Sequence, residues 1–204
     1  MPARPDASRE RPRAPARVVN SRALERLETP RLICERTRPE HATELSRLLL
    51  DPEIARWLSP SPDPPTQSQL AERLVASNHH WERYGFGMWL LRDRASAEMV
   101  GRGGLQWTYV AELRAVEAGW AIMPDRWGQG LATELAQAAV AVAHRDLQLP
   151  EIIAYTRPDN LASRRVMEKS GFVYEREFNH FGRKHLLYRH PLGELWRFGS
   201  APPN

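Results

Sequence analysis

Two glycines, Gly128 and Gly130, stand just before an Ala/Leu/Val-rich segment in residues 124–143, PDRWGQGLATELAQAAVAVA. The first turn of a helix carries unpaired backbone N–H groups and the positive end of the helix dipole. A glycine there has no Cβ, so an anion can approach the backbone closely. The segment WGQGLAT, residues 127–133, therefore predicts a cradle for a phosphate or pyrophosphate; a plain strand-to-helix turn is the alternative.

The two best-known phosphate motifs do not fit this turn. A P-loop needs a Lys after its last glycine, and neither glycine here is followed by one. A dinucleotide-binding turn needs a third glycine where this chain has Thr133. Its ribose-binding acid should end the following strand, whereas Glu151 precedes that strand. The sequence therefore excludes both motifs.

The histidines do not form a metal-binding pattern. His79 and His80 are adjacent and have no third ligand at a suitable spacing. The other candidates, on or near the last strands, are His180, His185 and His190. We expect helix packing or surface positions for these residues and no metal.

The glycine turn lies within alternating strand and helix patterns. We expect one α/β domain on a mixed sheet, covering residues 23–198, with a basic tail before it and a flexible end at 199–204. Thr66 is the expected cap of one helix, Gly171 the end of another, and Gly119 the site of a bulge in a strand. The predicted strands are 31–38, 85–93, 98–109, 114–124, 151–158, 173–178 and 184–188; the predicted helices are 39–50, 53–58, 67–84, 131–143 and 159–172, with a proline loop at 59–67.

Composition places the chain among soluble globular proteins, with 204 residues, 42% of them hydrophobic and 26% charged. No apolar run is long enough to span a membrane. The first 22 residues hold the whole net charge of +4, so we expect a disordered tail with at most weak contacts to nucleic-acid phosphates. The lone cysteine, Cys34, fits the core of a cytoplasmic protein. Arginine greatly outnumbers lysine, which suggests a GC-rich bacterial genome.

Three segments resemble one enzyme superfamily. Residues 117–140, EAGWAIMPDRWGQGLATELAQAAV, are similar to the acyl-CoA-binding motif of the GCN5-related N-acetyltransferases (GNAT). Residues 157–175, RPDNLASRRVMEKSGFVYE, resemble the next motif of that superfamily. Residues 27–45 and 51–58 resemble the opening of its RimJ/RimL-like branch, which contains the ribosomal-protein alanine acetyltransferases. The resemblance covers about residues 27–190.

The resemblance implies acetyl-CoA as co-substrate and the GNAT fold. That fold has a mixed, mostly antiparallel sheet, helices on both faces and a V-shaped splay between the two middle strands. Trp127 replaces the usual Gln or Arg, but a backbone cradle needs no charge there. The N–H of Ile122 or Met123 would polarise the thioester carbonyl. The implied cofactor-binding residues are Ile122, Met123, Trp127, Gly128, Gln129, Gly130, Leu131, Ala132, Thr133, Asn160 and Ser163.

Acetyl transfer needs a neutral amine and a proton for the departing thiolate. Glu117 is the candidate base, acting through a water; an ordinary paired carboxylate is the alternative. The acid of many superfamily members is a Tyr seven residues after the motif Asn, and Met167 stands there. Ser163 matches the serine that RimL-like enzymes are thought to use instead. Tyr155 and Tyr174 remain as alternatives.

The expected acceptor is a primary amine, either the α-amine of a protein N-terminus or a small molecule. An acidic acceptor groove would favour cationic acceptors. Trp57 and the proline loop are candidates for a wall of the acceptor pocket, because the first helices of this branch lie there. A catalytically silent acyl-CoA-binding module is the alternative function, and a tail-tethered ribosome-associated protein is another. We expect no membrane partner; a homodimer is compatible with the sequence.

Overall fold

The computed structural model describes residues 21–58 and 65–191. Nearly all of the predicted tail, most of the proline loop and the end at 199–204 lie outside these residues. The domain boundaries therefore stay predictions. Within the described part, no helix is long and apolar enough to cross a membrane.

Eight strands form one sheet in the order β1-β2-β3-β4-β5-β6-β8-β7. Every neighbouring pair is antiparallel except β5–β6, which is parallel. The strands are β1 Arg26–Glu28, β2 Leu32–Arg36, β3 Met88–Asp93, β4 Met99–Val110, β5 Leu113–Ile122, β6 Glu151–Thr156, β7 Val173–His180 and β8 Arg183–Pro191. The helices are α1 Ser21–Leu24, α2 Ala42–Leu49, α3 Pro52–Leu58, α4 Gln67–Tyr84, α5 Leu131–Arg145 and α6 Leu161–Lys169, with single 3₁₀ turns at Pro39–His41 and Pro124–Arg126.

Helices cover both faces of the sheet. On one face, Leu131 and Leu135 of α5 join Trp89 and Leu105 in the main buried cluster. On the other face, α2 and α3 pack on β5 through a smaller cluster of Leu48, Ile54, Ala121 and Met123. The predicted mixed, mostly antiparallel sheet with helices on both faces is confirmed.

The two middle strands separate near their midpoints. The parallel pair β5–β6 is in register only at Glu117 and Ile153, although β5 continues to Ile122. The gap between residues 118–122 of β5 and 154–156 of β6, here called the cleft, is the predicted V-shaped splay. The bulge predicted at Gly119 is wrong, because the β4–β5 register runs unbroken and sets Gly119 opposite Gly104.

Most predicted elements are present near their expected places. Helix α4 has the predicted bounds, and Thr66 caps it in a reciprocal pair of hydrogen bonds with Gln69. The short α1 and β1 were not predicted. Cys34 lies in β2 with its side chain fully buried, and burial raises the pKa of its thiol to about 12.

Candidate active site

The glycine turn between β5 and α5 leaves open space above its backbone. Gly128 and Gly130 have φ angles of +75° and +77°, in the left-handed region that favours glycine. A Cβ built on Gly128 would meet no atom within 4 Å, and one on Gly130 would meet only Arg31 Nη2 at 3.6 Å. A cavity of about 660 Å³ borders Gly130 and Thr133. An anionic group therefore fits against the N-terminus of α5.

Arg31, beside this turn, ties it to the loop between β1 and β2. Glu134, in the first turn of α5, accepts hydrogen bonds from Thr29 Oγ1 at 2.6 Å, Arg31 N at 2.8 Å and Arg31 Nε at 2.7 Å. Arg31 Nη1 also donates to the carbonyl oxygen of Gln129 at 2.7 Å. Burial alone would raise the pKa of Glu134, but these hydrogen bonds lower it below its ordinary value.

This Thr29–Arg31–Glu134 latch has two consequences for the turn. It fixes the carbonyl of Gln129, and it offsets a negative charge that would otherwise repel a phosphate. Sequence reasoning missed the latch because its partners lie about a hundred positions apart. Arg31 also lines the cavity near Gly130, and Lys169 and Arg145, the last residue of α5, are among its other lining residues.

Backbone groups of Ile122 face the cleft. The N–H of Met123 donates to Val100 O at 2.9 Å, so the pair Gly101–Ile122 is the kind that exchanges no hydrogen bonds. The N–H and C=O of Ile122 consequently point away from β4, and its carbonyl accepts a hydrogen bond from Trp127 Nε1 at 2.7 Å. Of the two N–H groups expected to polarise a thioester, that of Met123 donates to β4, and that of Ile122 is the one that faces the cleft.

Glu117 lies at the point where the cleft opens. Its carboxylate accepts a hydrogen bond from Gln106 Nε2 at 3.3 Å. Burial raises its pKa to about 7, and the Gln106 amide, the Arg102 charge and the Tyr155 hydroxyl partly counter that rise. A Cβ built on Gly119 would lie 3.6 Å from Glu117 Oε1, so the carboxylate lies over the bare backbone of that glycine. A carboxyl group with a pKa near 7 suits proton transfer at neutral pH.

Tyr155 is the neighbour of Glu117 that sequence reasoning offered only as an alternative acid. Burial, followed by the nearby Glu117 charge, raises the pKa of its hydroxyl, which therefore stays protonated and can donate to Glu117. Tyr174 is half exposed and packs on the ring of Tyr188 instead, with centroids 5.7 Å apart. Gln106 and Arg102 were not singled out, because only the sheet register brings them to this face.

Helix α6 borders the far side of the cleft. The Asn160 side chain accepts a hydrogen bond from Ser163 N at 3.1 Å, so its oxygen caps α6. Ser163 and Met167 are four residues apart and share a helix face. Met167 is fully buried in the core, while Ser163, one turn nearer the N-terminus, is partly exposed. Trp57 of α3 lies between Arg56 and Arg157, each 4.5 Å from a ring centroid of its indole.

Comparisons with known proteins agree with this geometry. The acetyltransferase (GNAT) domain family matches residues 31–173. The uncharacterised N-acetyltransferase YoaA of Bacillus subtilis is 26% identical over 73% of this chain and 83% of its own length. A Bordetella pertussis structure described as a GNAT-family acetyltransferase superposes with a TM-score of 0.70 at 27% identity, covering 81% of this chain and 98% of that one.

A more distant structure shares the fold alone. It is the RimL ribosomal L7/L12 α-N-protein acetyltransferase in complex with coenzyme A. It superposes with a TM-score of 0.67 at 19% identity, covering 82% of this chain and 98% of that one. The family match spans well over half of the chain and includes the glycine turn, the cleft and α6. The chain therefore belongs to the GNAT acetyltransferase family and is an N-acetyltransferase.

Proposed function

We propose that this N-acetyltransferase moves the acetyl group of acetyl-CoA to a primary amine, with Glu117 as the base. The acceptor class is the α-amine of a protein N-terminus or a small-molecule amine. The observation that carries the proposal is the Glu117 carboxyl group, which lies at the opening of the cleft with its pKa raised to about 7. The sequence resemblance to the RimJ/RimL-like branch supports an α-amine, whose ordinary pKa is about 8.

Each part of the site has a task in this reaction. Acetyl-CoA supplies a thioester whose sulfur is a good leaving group. The backbone from Gln129 to Thr133 would hold its pyrophosphate, with the dipole of α5 opposing the negative charge. The N–H of Ile122 would donate to the carbonyl oxygen as charge develops there. Together these groups place the thioester beside the amine, which supplies much of the acceleration.

Proton movement follows from the two side chains that border the cleft. Glu117 takes a proton from the attacking amine, directly or through one water, as the new C–N bond forms. The C–S bond then breaks, and Ser163 is the proposed donor of a proton to the thiolate, taking a proton from a solvent water as it does so. Glu117 later releases the proton of the amine to solvent. A thiol has an ordinary pKa of about 8.5, so the thiolate can depart with little help from an acid. Asn160 would hold the cofactor arm through its free amide nitrogen while its oxygen caps α6.

The experiment that tests this function combines binding and turnover. Acetyl-CoA should raise the melting temperature of the parent protein, since a ligand that binds only the folded state stabilises it by mass action. A panel of primary amines is then incubated with acetyl-CoA and assayed for the acetylated product by mass spectrometry. A melting shift without any product would favour the silent module, which the family comparisons do not favour. Absence of both would refute the proposal.

Location and assembly belong to the same proposal. We infer a cytoplasmic protein of bacterial origin from the single buried cysteine and the arginine-rich composition. Homodimerisation is tested by light scattering. Within residues 21–58 and 65–191, no three His, Cys, Asp or Glu side chains gather as a metal site would require.

A further inference from the structure

A second cavity lies between α2 and α4, on the sheet face that also carries Glu117. This α2–α4 cavity has a volume of about 120 Å³. One water takes about 30 Å³ in the liquid, so the cavity has room for a carboxylate and a short carbon chain. Leucines and alanines of α2 and α4 form its apolar wall, and the polar or charged residues that line it are Thr37, Ser46, Gln67, Arg73, Ser77 and Arg102.

Arg102 connects this cavity with the cleft. In the β4–β5 ladder, Arg102 is opposite Ala121, Gly104 is opposite Gly119, and Gln106 is opposite Glu117. Alternate residues share a face, so Arg102 and Glu117 stand on one face with only two glycines in the row between them. That row has no side chain of its own, and Met88 of β3 reaches over it, with its Cε 3.3 Å from a Cβ built on Gly119. The Arg102 charge accordingly favours the ionised form of Glu117 and lowers its pKa.

The residues that line the α2–α4 cavity include two arginines and no acidic side chain. Two other partly buried arginines meet two carboxylates each: Arg92 pairs with Glu35 and Glu44, and Arg189 pairs with Glu151 and Glu175. Among residues 21–58 and 65–191, no carboxylate lies within 4 Å of Arg102 or Arg73. The two side chains line the same cavity. Burial lowers the pKa of Arg102, the Glu117 charge partly counters that effect, and the Arg73 charge lowers the pKa further.

Two guanidinium groups that line one polar cavity form an anion-binding arrangement. A guanidinium presents planar N–H donors that match the two oxygens of a carboxylate. The Thr37 hydroxyl is already engaged, donating to Met88 O at 3.1 Å and lying 3.1 Å from Ser77 Oγ. The arginines are the charged donors among the residues that line the cavity. The sequence did not decide whether the acceptor groove is acidic. At this end the groove carries positive charge.

We propose that the acceptor is an amine that also carries a carboxylate, which Arg102 and Arg73 bind in the α2–α4 cavity while the amine lies beside Glu117. This inference rests on the proposed function, because it assigns the acceptor class of the same site. The carboxylate acts as the anchor, and the carbon chain would pass over Gly104 and Gly119 beside the flexible side chain of Met88, whose Cε lies 3.3 Å from a Cβ built on Gly119. A polyamine, which carries only positive charge, would be repelled by the two arginines.

The test uses acceptors in matched pairs. Glycine, β-alanine, 4-aminobutyrate and 6-aminohexanoate are each compared with the corresponding amide, at saturating acetyl-CoA. At pH 9 Glu117 is ionised with or without Arg102, so a change in its pKa does not affect the comparison. In the parent, the acids should have the higher kcat/KM, although the amides carry the less basic amines. The chain length with the highest kcat/KM reports the distance between the two binding points.

Variants of Arg102 then test whether the α2–α4 cavity causes the preference for acids over amides. Arg102→Gln should raise KM for the acids by about 10- to 100-fold more than KM for the matching amides, since only the acids lose a hydrogen bond to a charged group. Arg102→Lys should restore part of the preference. Arg47→Gln is the matched control, because Arg47 is an exposed arginine of α2 that does not line the cavity. It should behave as the parent.

The outcomes separate the inference from the proposed function. Acetylation of acids and amides at equal rates, or an equal loss for both with Arg102→Gln, overturns the inference and leaves the acetyltransferase intact. If no amine of the panel is acetylated, binding is measured as the rise in melting temperature that each acid and amide causes in acetyl-CoA-loaded protein. An equal or absent rise also overturns it. Absence of stabilisation by acetyl-CoA itself refutes the proposed function.

Discussion

Replacing Glu117 by Gln removes the proposed base while keeping the size and shape of the side chain. The substitution should lower kcat/KM about 100-fold at pH 8, toward the low end of what a general base contributes, because an α-amine is already partly neutral there. In the parent, a pKa of about 7 means that the ionised fraction of Glu117 falls from about 0.9 at pH 8 to about 0.1 at pH 6. The acceptor amine titrates in both proteins, so the difference between the two pH profiles isolates the carboxylate.

The same substitution lowers activity but should raise the stability of the folded protein. Folding raises the pKa of Glu117 from 4.5 to about 7, so ionisation disfavours the folded state. The shift corresponds to a loss of about 3 kcal/mol in the free energy of unfolding. This loss is absent below pH 4.5 and fully present above pH 7. Glu117→Gln should therefore be more stable than the parent at pH 8, by up to about 3 kcal/mol or about 6–12 °C in melting temperature. At pH 4.5 the difference should nearly vanish.

Melting curves of both proteins from pH 4.5 to 8.5, beside acetyl-transfer rates, measure both effects. Gln106→Leu provides a comparison, because it removes the hydrogen bond to the carboxylate but leaves the base in place. It should raise the pKa of Glu117 and move the acidic limb of the rate profile to higher pH. The reasoning fails if Glu117→Gln keeps the parent pH–rate profile, or if its stability relative to the parent is the same at pH 4.5 and pH 8.

Three further substitutions test other parts of the site. Gly130→Glu should abolish the acetyl-CoA-induced rise in melting temperature; Gly182→Glu, at a similarly open left-handed position in the β7–β8 turn, should match its strain of about 1–2 kcal/mol but keep the rise. A retained rise in Gly130→Glu would contradict the cradle. Ser163→Ala should lower kcat by about tenfold or less at unchanged acetyl-CoA affinity, and full turnover would exclude Ser163 as the proton donor. Glu134→Gln should weaken acetyl-CoA binding about 3- to 10-fold by loosening Arg31 and thereby the turn, so unchanged affinity in titration calorimetry would argue against the latch.

Local signals in the sequence predicted the helices and the glycine turn well. The bounds of α4 follow from a capping residue, a helical apolar spacing and a glycine at the end, all of which act within a few positions. The strand β1 has three residues, too few for an alternating pattern to appear. Gly119 predicted a bulge because glycine weakens a strand, but its partner Gly104 and the close approach of Met88 Cε explain the glycine through packing instead.

In the candidate site, too, the sequence predicted the local features and missed the long-range contacts. The residues of the glycine turn are contiguous, so a motif can identify them. The surroundings of Glu117 are assembled by the register of three strands, which sets Gln106 opposite it and Tyr155 nearby. The latch likewise joins Arg31 to Glu134 through the packing of the first strands against α5. No periodicity or spacing in a single sequence specifies which distant residues a register brings together.

The burial of Cys34 makes this protein well suited to chemical labelling. Its thiol is the only one in the chain, lies fully inside the core and has a pKa of about 12, so almost none of it is thiolate at the pH of an assay. A chromogenic thiol reagent added during turnover would therefore report coenzyme A alone, without a background from the folded enzyme. A cysteine introduced at an exposed position would be the single reactive site for a fluorophore, with no need to remove the native one.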